Sequence, residues 1–225
     1  MTTWDATSIS SLATAGGTLV LGIATFAAVR SANRAARIAE RSFQIGLRPI
    51  LAPSRLEDPP QKVMFRDRHW VKLEGGRAAV EVVDGIVYLA MLVRNVGNGM
   101  AIIEAWEPFP GQKAVNDPWG SASDFRQQTR ALWIAPNDVA FWQGALRDAD
   151  QLQQSVAAGV ADGAITVDLL YLDHEGGQRT VSRFSLIRRE SHPPESGEND
   201  TPGSEDGSGD QWWVSLSMHH TLDHD

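Results

Sequence analysis

The feature that most constrains this chain is an uncharged stretch near its N-terminus. Ala6 to Val29 runs for twenty-four residues without a charged side chain. As a helix it would be roughly 36 Å long, which is enough to cross a hydrocarbon core of about 30 Å. Eight of its residues are strongly apolar and the others are Ala, Gly, Ser and Thr. Insertion of this helix into a membrane is therefore favoured by only about 2–4 kcal/mol. The stretch predicts a long N-terminal helix that spans a membrane once.

Four arginines follow the uncharged stretch and set its predicted orientation. They are Arg30, Arg34, Arg37 and Arg41, and their spacing puts them on one face of a continuing helix. Basic residues that flank a span stay on the cytoplasmic side, and they are attracted to anionic lipid headgroups. We therefore expect these arginines to contact the membrane surface, with the N-terminus outside the cell and the rest of the chain in the cytoplasm.

Small residues form a second pattern within the predicted span. Ser10, Thr14, Thr18 and Gly22 recur at every fourth position, and such a ridge lets two membrane helices approach closely. It allows a homo-oligomer formed through the membrane helix. The alternative to a span is a helix buried in the core of the protein itself or in the core of a partner within a larger soluble assembly.

Charge divides the remaining chain. Residues 47–188 carry fifteen basic and seventeen acidic residues, whereas residues 189–225 carry one basic and nine acidic residues. A nearly neutral domain without a basic surplus argues against nucleic-acid binding. The absence of cysteine excludes disulfides, thiolate catalysis and Cys-ligated zinc.

Short apolar runs separated by turn signals predict that residues 47–188 form a β-domain. Ile86 to Val93 reads as a central strand, and Asp84-Gly85, Asn98-Gly99 and Pro136-Asn137 read as tight turns, with positive φ expected at Asn98-Gly99. One short helix, capped by Asp148, precedes the last two strands. The predicted fold class is mainly β, an antiparallel immunoglobulin-like β-sandwich preceded by the long N-terminal helix at residues 1–46.

Three segments carry a resemblance to a known class. LRPILAP (47–53), VRNVGNGMA (93–101) and LLYLDHEGGQRTVSRF (169–184) resemble small, single-pass membrane proteins of unknown function from actinobacteria and other bacteria. The resemblance implies an N-terminal helix followed by an immunoglobulin-like sandwich. It implies no catalytic residues.

The C-terminal segment, 189–225, combines an acidic stretch with an aromatic motif. Residues 189–210 lack apolar side chains, which predicts disorder. In residues 212–218 apolar side chains alternate, and the candidate partner-binding residues are Trp212, Trp213, Val214 and Leu216. This motif is interpreted as a strand added to a partner's sheet, as a strand docking on the domain's own edge, or as the product of a drifting C-terminus.

No sequence motif specifies a reaction. The common hydrolase, nucleotide-binding and metalloprotease patterns are missing, and the histidines at positions 69, 174, 219, 220 and 224 are explained more simply as strand, turn and tail residues. We predict no catalytic residue, no cofactor and no metal site. The preferred function is a membrane-tethered, non-enzymatic module that binds another protein. The alternatives are an enzyme with a site assembled from scattered polar residues and a soluble subunit of a larger assembly.

Overall fold

A computed structural model describes residues 6–114, 116–121, 123–175, 178–189 and 211–222, with the backbone alone at residues 6–13 and 44–45. The chain divides into two compact units, Met1–Gly46 and Leu47–Asp225. The first unit holds one helix, α1 (Ala6–Gly46). Within it, Thr14–Phe43 is long and apolar enough to cross a membrane, and none of its most apolar part is buried.

Polar side chains inside α1 bond to the helix itself. The Thr18 hydroxyl donates to the Thr14 carbonyl at 2.9 Å, and the Thr25 hydroxyl donates to the Leu21 carbonyl at 2.8 Å. A hydroxyl that is satisfied within its own helix costs less to place in lipid than one that needs water. The hydroxyl-rich composition is therefore compatible with a membrane environment.

The second unit contains eleven strands and one helix among its described residues. The strands are β1 (Leu51–Pro53), β2 (Gln61–Met64), β3 (Trp70–Leu73), β4 (Arg77–Val83), β5 (Ile86–Asn95), β6 (Ala101–Pro110), β7 (Arg126–Ile134), β8 (Val139–Leu146), β9 (Ala164–Leu172), β10 (Arg179–Arg189) and β11 (Gln211–Leu222). The helix, α2 (Gln151–Ala161), begins after Asp150, whose side chain caps the Gln153 amide at 2.7 Å. The cap lies two residues after the predicted Asp148.

Nine of these strands form one curled, antiparallel sheet. Its order is β1-β5-β4-β11-β10-β9-β6-β7. β8 pairs with the edge of β5 that faces away from β4. β4 and β11 share only two residue pairs, Trp212↔Ala78 and Trp213↔Arg77, so their pairing is brief. β2 and β3 form a separate hairpin. The mainly β character predicted from the sequence is confirmed.

Apolar side chains occupy both faces of the sheet. The inner face holds the main core, which includes Leu89, Trp142, Leu169 and Phe184. The β2–β3 hairpin covers the outer face of β5, where Val63 and other residues pack around Tyr88. A loop, described at residues 111–114, 116–121 and 123–125, covers part of the outer face of β9 and β10 through Trp119 and Phe125.

The predicted turns have mixed outcomes. Asp84 and Gly85 have φ of 51° and 76°, and Asn137 has φ of 62°, as their turn types require. The expectation for Asn98-Gly99 is wrong, because neither residue has positive φ. Glycine is needed at position 99 for a different reason: a Cβ there would meet the carbonyl of Leu47.

The sheet extends past the predicted end of the domain. β11 pairs with β10 along its length, from Arg179↔Leu222 to Arg189↔Gln211. The aromatic motif therefore docks on the edge of its own domain, the second of the three interpretations given above. The sequence predicts disorder for residues 189–210; Arg189 instead ends β10, and residues 190–210 lie outside the described residues.

Candidate functional site

The arginines predicted to contact the membrane lie on the C-terminal part of α1. Arg30, Arg34, Arg37 and Arg41 are all exposed. From Arg30 to Arg41 the helix rises roughly 17 Å. The side chains are thus free to interact with headgroups over more than two helical turns.

The predicted partner-binding residues lie within β11. Trp212 is 6% exposed and belongs to the main core, against which Val214 and Leu216 also pack. Trp213 is half-buried, with the Arg77 guanidinium 3.2 Å and the Arg189 guanidinium 5.3 Å from its ring centroid. Trp212 is therefore a core residue of its own domain.

The curled sheet is open between β7 and β8. In the described part of the chain, β7 pairs only with β6 and β8 pairs only with β5. The two strands are joined by the turn at residues 135–138, yet they form no ladder with each other. Both therefore present a sheet edge to this opening.

The hydrogen bonds show which residues of β8 face the opening. The backbone N–H of Asn95 donates to the Asp138 carbonyl at 3.0 Å, so the Asp138 carbonyl points toward β5. Along an antiparallel strand the backbone groups of successive residues point alternately toward one neighbouring strand and toward the other side. Val139, Phe141, Gln143 and Ala145 therefore direct their backbone N–H and C=O groups away from β5. In agreement, the Val139 amide donates to the Asp138 side chain at 2.8 Å, and the Gln143 carbonyl accepts from Gln128 Nε2 at 3.1 Å.

Two side-chain acceptors at the opening lack partners. Gln128 Oε1 and Gln143 Oε1 are buried without a hydrogen bond. A buried acceptor without a donor costs free energy. An added strand would bring backbone N–H donors to this place.

The β8 edge also lacks the usual protection against pairing. Its sequence, VAFWQGAL, contains no charge and no proline, the devices that normally blunt an edge strand. β7 differs because it carries Arg126 and Arg130 and because residues 128–131 have no partners in β6. Near the turn, Trp133 is 58% exposed. The opening thus combines a regular apolar edge with an exposed aromatic side chain.

A buried ion pair lies on the outer face of the sheet, under residues 111–125. Arg183 and Asp168 are both 0% exposed. Arg183 Nε donates to Asp168 Oδ1 at 2.9 Å and Nη2 donates to Oδ2 at 2.8 Å. Arg183 also donates to carbonyls of the covering loop at Ala114 and Asp117, both at 3.2 Å. The pair therefore fastens the loop to the sheet.

Aromatic rings complete this covered polar cluster. The Trp119 ring lies 4.3 Å from the Arg183 guanidinium, and His220 stacks on Trp119 with centroids 5.9 Å apart. Together Asp168, Arg183, Trp119 and His220 form a layered arrangement. The Trp119 side chain is half-buried.

Glu107 belongs to the same cluster. Its pKa is raised to about 7, chiefly by burial; Lys113 and Arg183 lower the pKa, whereas the charges of Asp168 and Asp124 contribute to the rise. Its Oε2 atom is buried without a hydrogen bond. Gly120 lies so close that a Cβ there would meet this carboxyl. The loop therefore shields a carboxyl that is partly protonated at neutral pH.

Other histidines have structural partners. His69 Nε2 lies 2.7 Å from Glu81 Oε2, and its ring stacks on Tyr88 with centroids 4.2 Å apart. The Tyr88 hydroxyl donates to Asp67 at 2.6 Å, a bond that lowers the pKa of Asp67 and raises the pKa of Tyr88. These contacts hold the β2–β3 hairpin on β4 and β5. His174 is exposed at a hairpin tip, 3.9 Å from Glu175.

Within the described ranges no group of three or more His, Asp and Glu residues is placed to hold a metal ion. Neither the covered polar cluster nor β8 as an open edge of the sheet was identified from the sequence. No protein-family model, curated protein or solved structure matches the chain.

Proposed function

We propose that this chain is a membrane-tethered, non-enzymatic module that binds another polypeptide through the open edge of β8. The observation that carries the proposal is that edge: eight residues in a regular strand, paired on one side only and free of charge. Edges of this kind recruit an extended strand by main-chain hydrogen bonds. The exposed Trp133 beside the opening adds an aromatic contact.

The membrane half of the proposal rests on α1. The helix is long and apolar enough to span, and the arginines that follow the apolar part favour a cytoplasmic β-domain under the positive-inside rule. The homo-oligomer formed through its small-residue ridge is part of the same proposal. So is membership of the actinobacterial-type class of single-pass proteins suggested by the three sequence segments.

The finer description of the fold is also a proposal. We assign the β-domain to an immunoglobulin-like sandwich, with β1, β4, β5 and β8 in one layer and β6, β7, β9, β10 and β11 in the other. The brief β4–β11 contact supports two layers rather than one continuous barrel wall. An experimental structure that shows a closed barrel would exclude this assignment.

Membrane attachment is tested by carbonate extraction of membranes that contain the full chain. An integral protein stays in the pellet, whereas a peripheral subunit is released. A reporter fused to the C-terminus is expected to be active only in the cytoplasm. Release by carbonate, or a reporter found outside the cell, would contradict the membrane half of the proposal.

Binding at β8 is tested by photo-crosslinking in native membranes. A photoreactive amino acid at Phe141, on the edge, should give a crosslinked polypeptide of defined mass. The same group at Gln154, exposed on α2, is the control. The proposal requires that Ala145→Pro, which removes an edge N–H, abolishes the Phe141 crosslink. Equal crosslinking at the two positions would contradict it.

A further inference from the structure

We propose that the β8 edge pairs with β8 of a second copy of this chain, in antiparallel register about a twofold axis at Gln143. This inference rests on the proposed function, because it names the occupant of the same edge. The resulting sheet would run from β5 and β8 of one copy into β8 and β5 of the other. The partner is thus identical to the chain itself.

The order of large and small side chains in β8 supports this register. Pairing Gln143 with its symmetry mate places Phe141 opposite Ala145 of the second copy and Trp142 opposite Gly144. Ala140 then faces Leu146. A large residue faces a small one at each step on either side of Gln143. Moving the twofold axis by one residue, from Gln143 to Trp142, would instead pair Trp142 with itself.

The backbone directions fit the same register. Phe141, Gln143 and Ala145 direct their N–H and C=O groups to the opening, and in this pairing they face Ala145, Gln143 and Phe141 of the second copy. Each becomes a hydrogen-bonded pair. The Gln128 amide has to leave the Gln143 carbonyl, whose new donor is the Gln143 N–H of the other copy.

The Gln143 side chains gain partners as well. Oε1 of Gln143 is buried without a hydrogen bond. At a twofold axis the two amides lie side by side, and each Nε2 can donate to the other Oε1. The missing donor is therefore supplied by the same residue of the second copy.

Charge also favours self-pairing at β8. An isologous contact brings each residue near its own type or a close neighbour, so a charged edge would repel itself. VAFWQGAL has no charge. Two copies confined to one membrane also meet at a high effective concentration, which lowers the affinity that the edge must supply.

The experiment uses the absence of cysteine from the chain. Single-cysteine variants of the full chain in native membranes report proximity by mild oxidation and non-reducing electrophoresis. Gln143→Cys should form a disulfide-linked dimer, since paired Cα atoms about 5.5 Å apart suit a disulfide. Gln154→Cys is the matched control, and we expect at least tenfold less dimer from it.

Register and edge pairing are tested by two further measurements. Differently tagged Phe141→Cys and Ala145→Cys chains, co-expressed, should form mixed dimers in excess over either self-dimer. Adding Ala145→Pro to Gln143→Cys should abolish the dimer while circular dichroism and thermal unfolding show the domain still folded. If the proline variant unfolds, Ala145→Lys, which puts a charge on the same edge, replaces it.

The outcomes separate this inference from the proposed function. Dimer formation at Gln143 no greater than at Gln154, or no excess of mixed dimers, overturns the self-pairing. If the photoreactive group at Phe141 captures only a different polypeptide, the second copy is excluded while the proposed module stands. Release of the chain by carbonate overturns the membrane tether irrespective of the disulfide result.

Discussion

Glu107 on β6 and Asp168 on β9 lie directly opposite each other in the sheet, yet their surroundings differ. Asp168 accepts two hydrogen bonds from Arg183, whereas Glu107 Oε2 is buried without one. Burial is the main cause that raises the pKa of Glu107 to about 7. Glu107 is the group whose charge changes near neutral pH.

Replacing Glu107 by glutamine should remove a pH dependence of stability. The folded-state pKa of about 7 lies above the ordinary value of 4.5, so the protonated carboxyl favours folding. Its contribution is complete below about pH 4.5 and is lost as the pH rises through 7. We expect the free energy of unfolding of Glu107→Gln, relative to that of the wild type, to rise by roughly 1–2 kcal/mol from pH 5 to pH 8, allowing for solvent screening. Urea unfolding of both proteins at the two pH values measures this change. The same stability difference between variant and wild type at pH 5 and pH 8 would contradict the prediction.

Arg183→Met should destabilise the domain strongly because it leaves Asp168 buried without its cation. Loss of one partner of a buried pair costs about 3–5 kcal/mol. The double variant Asp168→Leu/Arg183→Met should lose less than the single variant, since no uncompensated charge remains. Chemical unfolding of both variants tests this order. Faster hydrogen exchange at residues 113–120 is expected in both, because Arg183 holds the loop carbonyls.

The local parts of the fold were accessible from the sequence. The last two strands predicted before the C-terminal segment correspond to β9 and β10, and their antiparallel register places Asp168 opposite Arg183. The ion pair was therefore accessible from the pairing of two strands that are neighbours in the sequence. Glu107, Trp119 and His220 were not, because β6 and β11 join these two strands from distant parts of the chain.

The docking of β11 shows a second limit of sequence reasoning. The alternation of Trp212, Val214, Leu216 and Met218 indicates a strand but does not name its partner. The edge of β10 is available in the same chain, and the intervening residues 190–210 give no apolar signal that links the two. Register and burial decide the partner, and both are properties of the folded sheet.

Trp212→Ala and Trp213→Ala should have unequal effects. Trp212 is almost fully buried in the main core, and removing such a ring costs about 3–5 kcal/mol. Trp213 is half-buried between Arg77 and Arg189, and its loss should cost about 1 kcal/mol. Unfolding of the two variants in urea, followed by circular dichroism, gives the comparison. Equal effects would mean that β11 does not contribute to the core as described.

Asn95 should be intolerant of substitution because its side chain satisfies four backbone groups. Its Oδ1 accepts from the amides of Ile50 at 3.2 Å and Gly97 at 3.0 Å. Its Nδ2 donates to the carbonyls of Gly99 at 2.6 Å and Ile134 at 3.1 Å.

We expect Asn95→Ala to lose about 2–4 kcal/mol of stability, since buried donors and acceptors lose their partners. Asn95→Asp keeps the two acceptor bonds but turns a carboxylate toward two carbonyls, so its stability should recover as the pH falls and the carboxyl gains a proton to donate. Thermal unfolding of both variants between pH 4 and pH 8 distinguishes them. If the Asp variant shows no greater pH dependence than the Ala variant, the assignment of Nδ2 to the two carbonyls is wrong.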